Sequence, residues 1–394
     1  MDNGPLSVES APTPDNNYAP RATATIDLAA IESNVRRLLD AASGADVMAV
    51  VKADAYGHGL VPVARACREG GATWLGTALL SEALELRAAG DEGRLFAWLA
   101  TPGDSFAECI QRDIDLSASA LWMLTEIAAA AKRTGRTARV HLKVDTGLGR
   151  GGTTEADWPQ LLASARRWQD EGSIEVVGVW SHFAYADEPG HPTIAQALET
   201  FRRSIELAQA ADFSLEVRHI ANSAATLSLP ESHFDLVRPG IAIYGLSPGP
   251  AVGTPASLGL RPAMTLTGRL VHAKQLPTGH GVSYAHQYVM PRTGTVGLVP
   301  LGYADGIPRN ATNRAPVWAA GRQRTISGRV CMDQFVIDLG DADAVAGDEV
   351  ILFGPGDQGE PTADDWAAAC DTINYEIVTR IGPRVERVFQ GRGA

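Results

Sequence analysis

The chain contains four cysteines, and Cys67, Cys109, Cys331 and Cys370 lie far apart with no CxxC pair among them. This scarcity argues against a disulfide scaffold, a zinc site or a dithiol redox motif. It fits a reducing compartment, so a cytoplasmic protein is expected. Long apolar runs are missing too. No stretch reaches the ~18 apolar residues that a membrane-spanning helix needs, and no membrane association is expected. Residues 1–20 are rich in Pro, Asn, Ser and Ala, with neither the basic start nor the apolar centre of a secretory signal. They read as a disordered tail. Basic clusters are also lacking. Lys and Arg total 34 against 46 Asp and Glu, a net charge of -12, which argues against nucleic acid as a partner. No internal repeat is visible.

What is present is alternation. A chain of 394 residues, 45% hydrophobic, can build a large core and is too long for one ordinary domain. Strands are expected at Val47–Val51, Trp74–Thr77, Leu95–Leu99, Ile114–Ser117, Arg139–Val144, Ile174–Trp180, Val217–Ile220 and Leu236–Arg238. Helical patterns separate them, from Ile31–Ala42 to Ala224–Leu229. Strands alternating with helices make a parallel sheet with crossovers, and about eight such units in roughly 230 residues match a (β/α)8 barrel. Pro and Gly then cluster from Ser247-Pro248-Gly249-Pro250 to Arg261-Pro262, which reads as a linker. Beyond it lie short β segments, beginning with Met264–Ala273, and two helices at Thr362–Ala369 and Asn374–Arg380. The expected fold class is α/β: a TIM-type (β/α)8 barrel over 21–255, followed by a mostly β domain over 256–394.

The most informative residue is Lys52, in Ala49-Val50-Val51-Lys52-Ala53-Asp54-Ala55-Tyr56-Gly57-His58-Gly59. It leaves an apolar strand where the chain should turn into a helix. Burial lowers a lysine pKa and yields a usable amine. The chemistry that most needs such an amine is a Schiff base with a carbonyl or with pyridoxal phosphate. The competing reading is a strand-end lysine reaching out to water. In a (β/α)8 barrel, catalytic groups gather at the C-terminal ends of strands. Those ends deliver Lys52 and Tyr56; Lys143, Asp145 and Arg150; His182 and Asp187; His219, Asn222 and Ser223; and Arg238, Gly240 and Ile241.

Ser223 and the Arg238-Pro239-Gly240-Ile241 turn suit a phosphate. A helix start offers N–H groups, and a glycine lets backbone approach an anion. Ser223 read as an ordinary N-cap is the alternative. The run Gly147-Leu148-Gly149-Arg150-Gly151-Gly152 lacks GxGxxG spacing and follows a mid-barrel strand. It reads as a flexible loop that aims Arg150, not as a dinucleotide site. His182, Asp187 and His191 match no metal-ligand spacing, and no metal is expected. In the β domain, the turns around Tyr284, Tyr303 and Met332 carry no ranking from composition alone.

Together the motifs resemble one family closely. AVVKADAYGHG, HLKVDTGLGR, SHFAYADE, HIANS, VRPGIAIYG, GVSYAHQY, GYADG, GRVCMDQ and NYEI are similar to those of bacterial alanine racemases. These are pyridoxal 5'-phosphate enzymes that pair a (β/α)8 barrel with a β domain. The resemblance runs from about Arg21 to the C-terminus. It implies that Lys52 carries the cofactor as a Schiff base and acts as one base. Tyr284, from the partner in a homodimer with shared active sites, is implied as the other. Tyr56, Ser223, Gly240, Ile241 and Tyr375 resemble the phosphate shell, with His182, His219 and Asn222 also lining the cofactor. Arg238 resembles the partner of the pyridine nitrogen. Arg150 matches an arginine at the phenolic oxygen and substrate carboxylate, and Met332 a further carboxylate contact. Lys143 matches a lysine often found carbamylated. Tyr303, Asp187, Arg309 and Arg329 match entrance residues. The implied activity interconverts L- and D-alanine and supplies D-alanine for peptidoglycan.

Inverting an α-carbon needs a proton taken from one face and delivered to the other, so two flanking groups are wanted. Arginine offers only donors and does not readily give up its proton. Arg238 should therefore leave the ring nitrogen unprotonated and favour quick reprotonation over side reactions. Two alternatives compete: an amino-acid decarboxylase of the same fold group, and a non-catalytic pyridoxal-phosphate-binding protein. The Arg238 motif and the Tyr284 run speak against the first, and the long β domain against the second.

Overall fold

The computed structural model of the chain describes residues 20–391. The expected tail over 1–20 therefore lies outside the described residues, apart from Pro20. The first strand, β1 (Ala22–Asp27), is followed by eight parallel strands that form the barrel. These are β2 (Asp46–Val50), β3 (Trp74–Leu79), β4 (Arg94–Leu99), β5 (Asp115–Ala118), β6 (Ala138–Lys143), β7 (Ile174–Trp180), β8 (Val217–His219) and β9 (Leu236–Val237). Neighbours run in chain order from β2 to β8, and β9 pairs with β2 through Asp46–Leu236 and Val47–Val237. The cylinder closes between β8 and β9, where Asp235 N donates to Arg218 O (3.2 Å) and Arg238 N to Ala221 O (2.9 Å). All eight expected strands are present.

Amphipathic helices pack outside. In Leu28–Ala42 the buried side chains include Leu28, Ile31, Val35, Leu38 and Ala42, a 3-4-3-4 spacing that lines one helical face. Asp27 caps this helix by accepting from Ala30 N (3.0 Å). Each fully buried aliphatic side chain on that face contributes about 1.5–3 kcal/mol, so Leu38→Asp would detach it. The lumen is filled separately, by Met48, Trp74, Phe96, Trp180, Val217 and Leu236 with Trp98 against them. The barrel is thus a packed core with its opening confined to the strand ends.

The second domain is mostly β. Its largest sheet orders Arg322–Thr325, Pro316–Ala319, Glu349–Phe353, Met264–Arg269, β1 and Glu386–Gln390. Here the expected boundary fails at the N-terminus. β1, placed with the barrel from sequence, pairs with Met264–Arg269 antiparallel and with Glu386–Gln390 parallel. Its burial alternates, with Ala22, Ala24 and Ile26 buried and Thr23, Thr25 and Asp27 half-buried, which suits a sheet with one covered face, not a barrel strand. The segment expected as one strand over Met264–Ala273 also divides. Leu270 N bonds Asp348 O (2.8 Å) while Val271 N bonds Leu298 O (2.9 Å), so the chain changes sheets there. His272–Leu276 then joins Gly294–Val299 and Phe335–Gly340. A short hairpin, Gly281–Val282 with Tyr288–Val289, carries Tyr284 at its tip. Among the described residues no helix is long and apolar enough to cross a membrane.

Candidate active site

Lys52 leaves the C-terminal end of β2 into an unusual turn. Ala53, Asp54, Ala55 and Tyr56 have φ of 55°, 52°, 51° and 54°, so the turn is left-handed. L-residues avoid this region because Cβ crowds the carbonyl oxygen, at roughly 1–2 kcal/mol per residue. The surroundings hold it in place. Glu82 accepts from Ala53 N (2.6 Å) through one oxygen, and from Ala78 N and Leu79 N (3.0 Å each) through the other. Asp54 accepts from Leu60 N (2.7 Å). Gly57, at φ +78°, lies so near Val378 O that a Cβ would come within 2.6 Å. The right-handed helix starts at Leu60. The turn sets Tyr56 under the mouth, its ring 4.7 Å from Tyr244 and 6.2 Å from Tyr375. Tyr375 comes from the second domain, in the helix Asn374–Thr379.

A second cluster surrounds Tyr56. Ser223 Oγ accepts from Gly240 N (2.8 Å) and Ala242 N (3.3 Å). The N-cap of the helix Ser223–Ser228 is Asn222, which accepts from Ala225 N (3.1 Å), so the Ser223 hydroxyl is not spent on capping. A Cβ on Gly240 would stand 2.2 Å from Tyr56 Oη. Two hydroxyls and the backbone at Gly240, Ile241 and Ala242 thus converge on one small space. With the Gly240 and Ala242 N–H groups turned to Ser223 Oγ, the two hydroxyls and the Ile241 N–H are the donors that suit a phosphate, and only glycine at 240 leaves room for the Tyr56 hydroxyl.

The charges at the mouth are mostly positive. Burial lowers the Lys52 amine, with further repulsion from Arg150, and Glu82 opposes both. Lys143 is pushed down to about 8 by burial and then by Arg238 and Arg150. The Trp180 ring takes up two of these cations, with Lys143 Nζ 4.3 Å and Arg238 Cζ 5.0 Å from its centroid, a cation–π arrangement. The glycine loop after β6 is fastened, not merely flexible. Asp145 accepts from Gly147, Leu148 and Gly149 N–H groups at 3.0 Å each. The loop leads to Arg150, which is exposed.

Arg238 is buried. Nη1 donates to His219 Nδ1 (3.0 Å), and Nη2 donates to Ser181 O (2.7 Å) and faces His182 Nδ1 (3.3 Å). Its Nε has no partner among the described residues. Burial pulls Arg238 down to about 9, which still leaves it charged at neutral pH. Burial and then the Arg238 charge hold His182 and His219 well below the ordinary histidine range, so both rings are neutral.

The remaining candidates form a separate group. Tyr303 N bonds Cys331 O (3.0 Å) and Ala304 N bonds Met332 O (2.9 Å). Ser283 Oγ bonds Arg329 O (2.7 Å), and Thr312 links Arg309 O to Val330 N. These contacts gather Tyr284, Tyr303, Arg309, Arg329 and Met332 on the second domain. Tyr284 is 69% exposed, and the pocket beside it has no barrel residue in its lining. Asp187 lies on the barrel instead, where its charge helps burial raise the Tyr375 pKa. Sequence reasoning missed Glu82, Trp180 and His141. Glu82 lies in a helix and His141 inside a strand, away from the strand ends, and Trp180 reads as ordinary apolar core. The period-two row Arg139, His141, Lys143 in β6 was the available signal that polar groups enter the lumen.

Residues 26–248 match the family model for the alanine racemase N-terminal domain, and residues 263–389 match that for the C-terminal domain. The chain belongs to the alanine racemase family. It is 63% identical to the alanine racemase of Frankia casuarinae over 369 residues, covering 94% of this chain and 96% of that one. It is 58% identical to the enzyme of Streptomyces coelicolor over 374 residues, with 94% and 96% covered. The solved alanine racemase of Streptomyces lavendulae superposes with a TM-score of 0.94 at 58% identity, covering 95% and 98% of the two chains. That of Bacillus anthracis, solved with bound L-Ala-P, gives 0.87 at 33% identity, with 96% and 97% covered. The alanine racemase N-terminal model begins inside β1, although hydrogen bonding assigns that strand to the second domain.

Proposed function

We propose that the chain interconverts L- and D-alanine with pyridoxal 5'-phosphate held at the barrel mouth, as a homodimer whose sites are shared. When bound, the cofactor supplies an electron sink that acidifies the alanine α-carbon. Tyr56, Ser223 and the backbone at Gly240 and Ile241 would hold its phosphate, with Tyr375 closing over Tyr56. Lys52, desolvated and repelled by Arg150, has the amine to hold the cofactor aldehyde and to move a proton at the α-carbon. Arg238 holds His219 and Ser181 through its terminal nitrogens, and its Nε–H would be available to the ring nitrogen. A donor there would leave that nitrogen unprotonated, which would favour quick return of a proton to the α-carbon over side reactions. Arg150 and the Met332 backbone suit the substrate carboxylate, with Tyr303, Arg309, Arg329 and Asp187 around the entrance.

One observation carries the two-base reading. Burial raises the Tyr56 and Tyr375 phenols, so neither is a ready base, while Tyr284 stands exposed with no barrel residue in its pocket. Tyr284 from a second copy of the chain would meet the face of the α-carbon opposite Lys52. His182 accepts from Arg238 through Nδ1 and so carries its proton on Nε2, a donor suited to steadying a phenolate. The four free cysteines fit a cytoplasmic location, and the product suits peptidoglycan synthesis.

The test is subunit complementation. Lys52→Ala and Tyr284→Phe should each abolish D-alanine formation from L-alanine, and Lys52→Ala should also lose the yellow absorbance. After unfolding and refolding together, half the dimers would be mixed and carry one intact site. About a quarter of wild-type activity should return. No recovery, with dimers present by light scattering, would sink the shared site.

A further inference from the structure

A row of polar side chains runs down the barrel lumen, away from both proposed bases. His219 Nε2 lies 2.8 Å from His141 Nδ1, and His141 Nε2 lies 3.1 Å from Asp115 Oδ2. With Arg238 Nη1 3.0 Å from His219 Nδ1, four groups are linked without a break. Their exposures are 5% for Arg238, 0% for both histidines and 2% for Asp115. Aromatic rings sheathe the row. Phe96 stacks on His141 at 4.4 Å, Trp74 meets it edge-on at 5.7 Å, and Trp180 lies parallel to His219 within 6°. At the far end Asp115 also accepts from Arg139 Nε and Arg94 Nη2 at 3.0 Å each, and both arginines pair with Glu216.

Hydrogen counting gives the row a direction. Arginine only donates, so His219 Nδ1 is bare and its proton sits on Nε2. That proton is donated to His141 Nδ1, which must also be bare. The His141 proton then sits on Nε2 and is donated to the Asp115 carboxylate, an acceptor only. A flip at either ring would set donor against donor in a dry site, where an unmade hydrogen bond is costly.

We propose that Asp115, acting through His141 and His219, is a positioning residue for Arg238: it fixes both imidazole tautomers and thereby the direction in which the guanidinium is held. This rests on reading Arg238 as the partner of the cofactor ring nitrogen. The competing view makes Asp115 a purely structural anchor for Arg94 and Arg139 at the closed end of the barrel.

Long-range ¹H–¹⁵N correlation spectra of histidine-labelled enzyme, with and without cofactor, test the tautomers. His141→Gln and His219→Gln supply the assignments. Both rings should show Nε2–H in either form. An Nδ1–H or doubly protonated ring at either position overturns the proposal, whatever Arg238 contacts and whether or not any Asp115 variant folds. In Asp115→Asn holoenzyme the His219 Nε2–H proton should move upfield. Losing a charge-assisted acceptor should lower kcat about tenfold, with the alanine KM within about twofold because the row touches no substrate atom. Glu216→Gln disturbs the same arginines but not the row, and should leave spectra and kcat unchanged. Unmoved His219 signals in Asp115→Asn, or the same effects from Glu216→Gln, would overturn the assignment. Correct tautomers and a shifted His219 signal with unchanged kcat would instead point at the reading of Arg238.

Discussion

Gly240→Ala asks whether Tyr56 and the backbone at Gly240 share one phosphate pocket. The added Cβ would stand 2.2 Å from Tyr56 Oη and 2.9 Å from Cζ, where carbon contacts are best at about 3.5–4.0 Å. The hydroxyl must therefore move by about 1 Å or more. Tyr56 has little room to retreat, because Tyr244 and Tyr375 lie 4.7 and 6.2 Å from its ring. Overpacking of this kind costs about 1–3 kcal/mol. Losing a hydrogen bond to a charged phosphate costs about 1.5–3 kcal/mol. At about 1.4 kcal/mol per factor of ten, affinity for pyridoxal 5'-phosphate should fall roughly 10- to 100-fold. The assay titrates apoprotein with the cofactor and follows protein fluorescence. Tyr56→Phe should weaken binding to a similar degree. The double variant should fall short of the sum, since the clash is chiefly with Oη. Wild-type affinity in Gly240→Ala would refute the shared pocket, and full additivity would refute action through Tyr56.

Three further outcomes are expected. Ala53→Gly should stabilise the protein by roughly 1 kcal/mol, because it relieves a left-handed alanine, whereas glycine within a right-handed helix would destabilise; the sign of the change in thermal midpoint decides. Lys143, held near 8, should be roughly one-quarter neutral near pH 7.5, against about one part in a thousand for an ordinary lysine. The neutral amine is the form that adds carbon dioxide, so a carbamate resonance from ¹³C-bicarbonate should grow as pH rises toward 8 and be absent in Lys143→Arg. Asp305 is fully buried and paired with Arg21 (2.6 Å) and Arg384 (3.0 Å) beside the Tyr303 turn. Removing it takes the carboxylate from Arg21 and strands the buried Gly302 N–H (2.9 Å), while Arg384 keeps Asp333 (2.7 Å), so Asp305→Ala should cost about 1–3 kcal/mol in denaturant melts, and an unchanged midpoint would contradict that pairing.

How much of this was legible in the sequence depended on how local each signal is. Barrel strands buried on both faces announce themselves as short apolar runs, and all eight were read within two residues at each end. β1 was misassigned because its partners, Met264–Arg269 and Glu386–Gln390, lie hundreds of residues away. The left-handed turn after Lys52 was invisible for a different reason. Ala53 and Ala55 prefer right-handed helix, and that preference is overridden by the distant Glu82 accepting from Ala53 N, with Asp54 accepting locally from Leu60 N. Ser223 can be read from sequence as cap or ligand, because its neighbour Asn222 is an equally good cap and takes that role.

His141 is the most instructive case. Surveying strand ends finds residues that face the mouth, but a barrel strand alternates its side chains between lumen and helices. Arg139, His141 and Lys143 share the lumen face of β6 by that rule, with Val140, Leu142 and Val144 turned to the helices. Three polar residues in one lumen-facing row would be costly to bury unless each had a partner. The partners are Asp115 for Arg139 and His141, and the Trp180 ring for Lys143. Reading each strand as two rows, and asking what pairs with every polar lumen residue, would have led from Lys143 at the mouth to Asp115 below it.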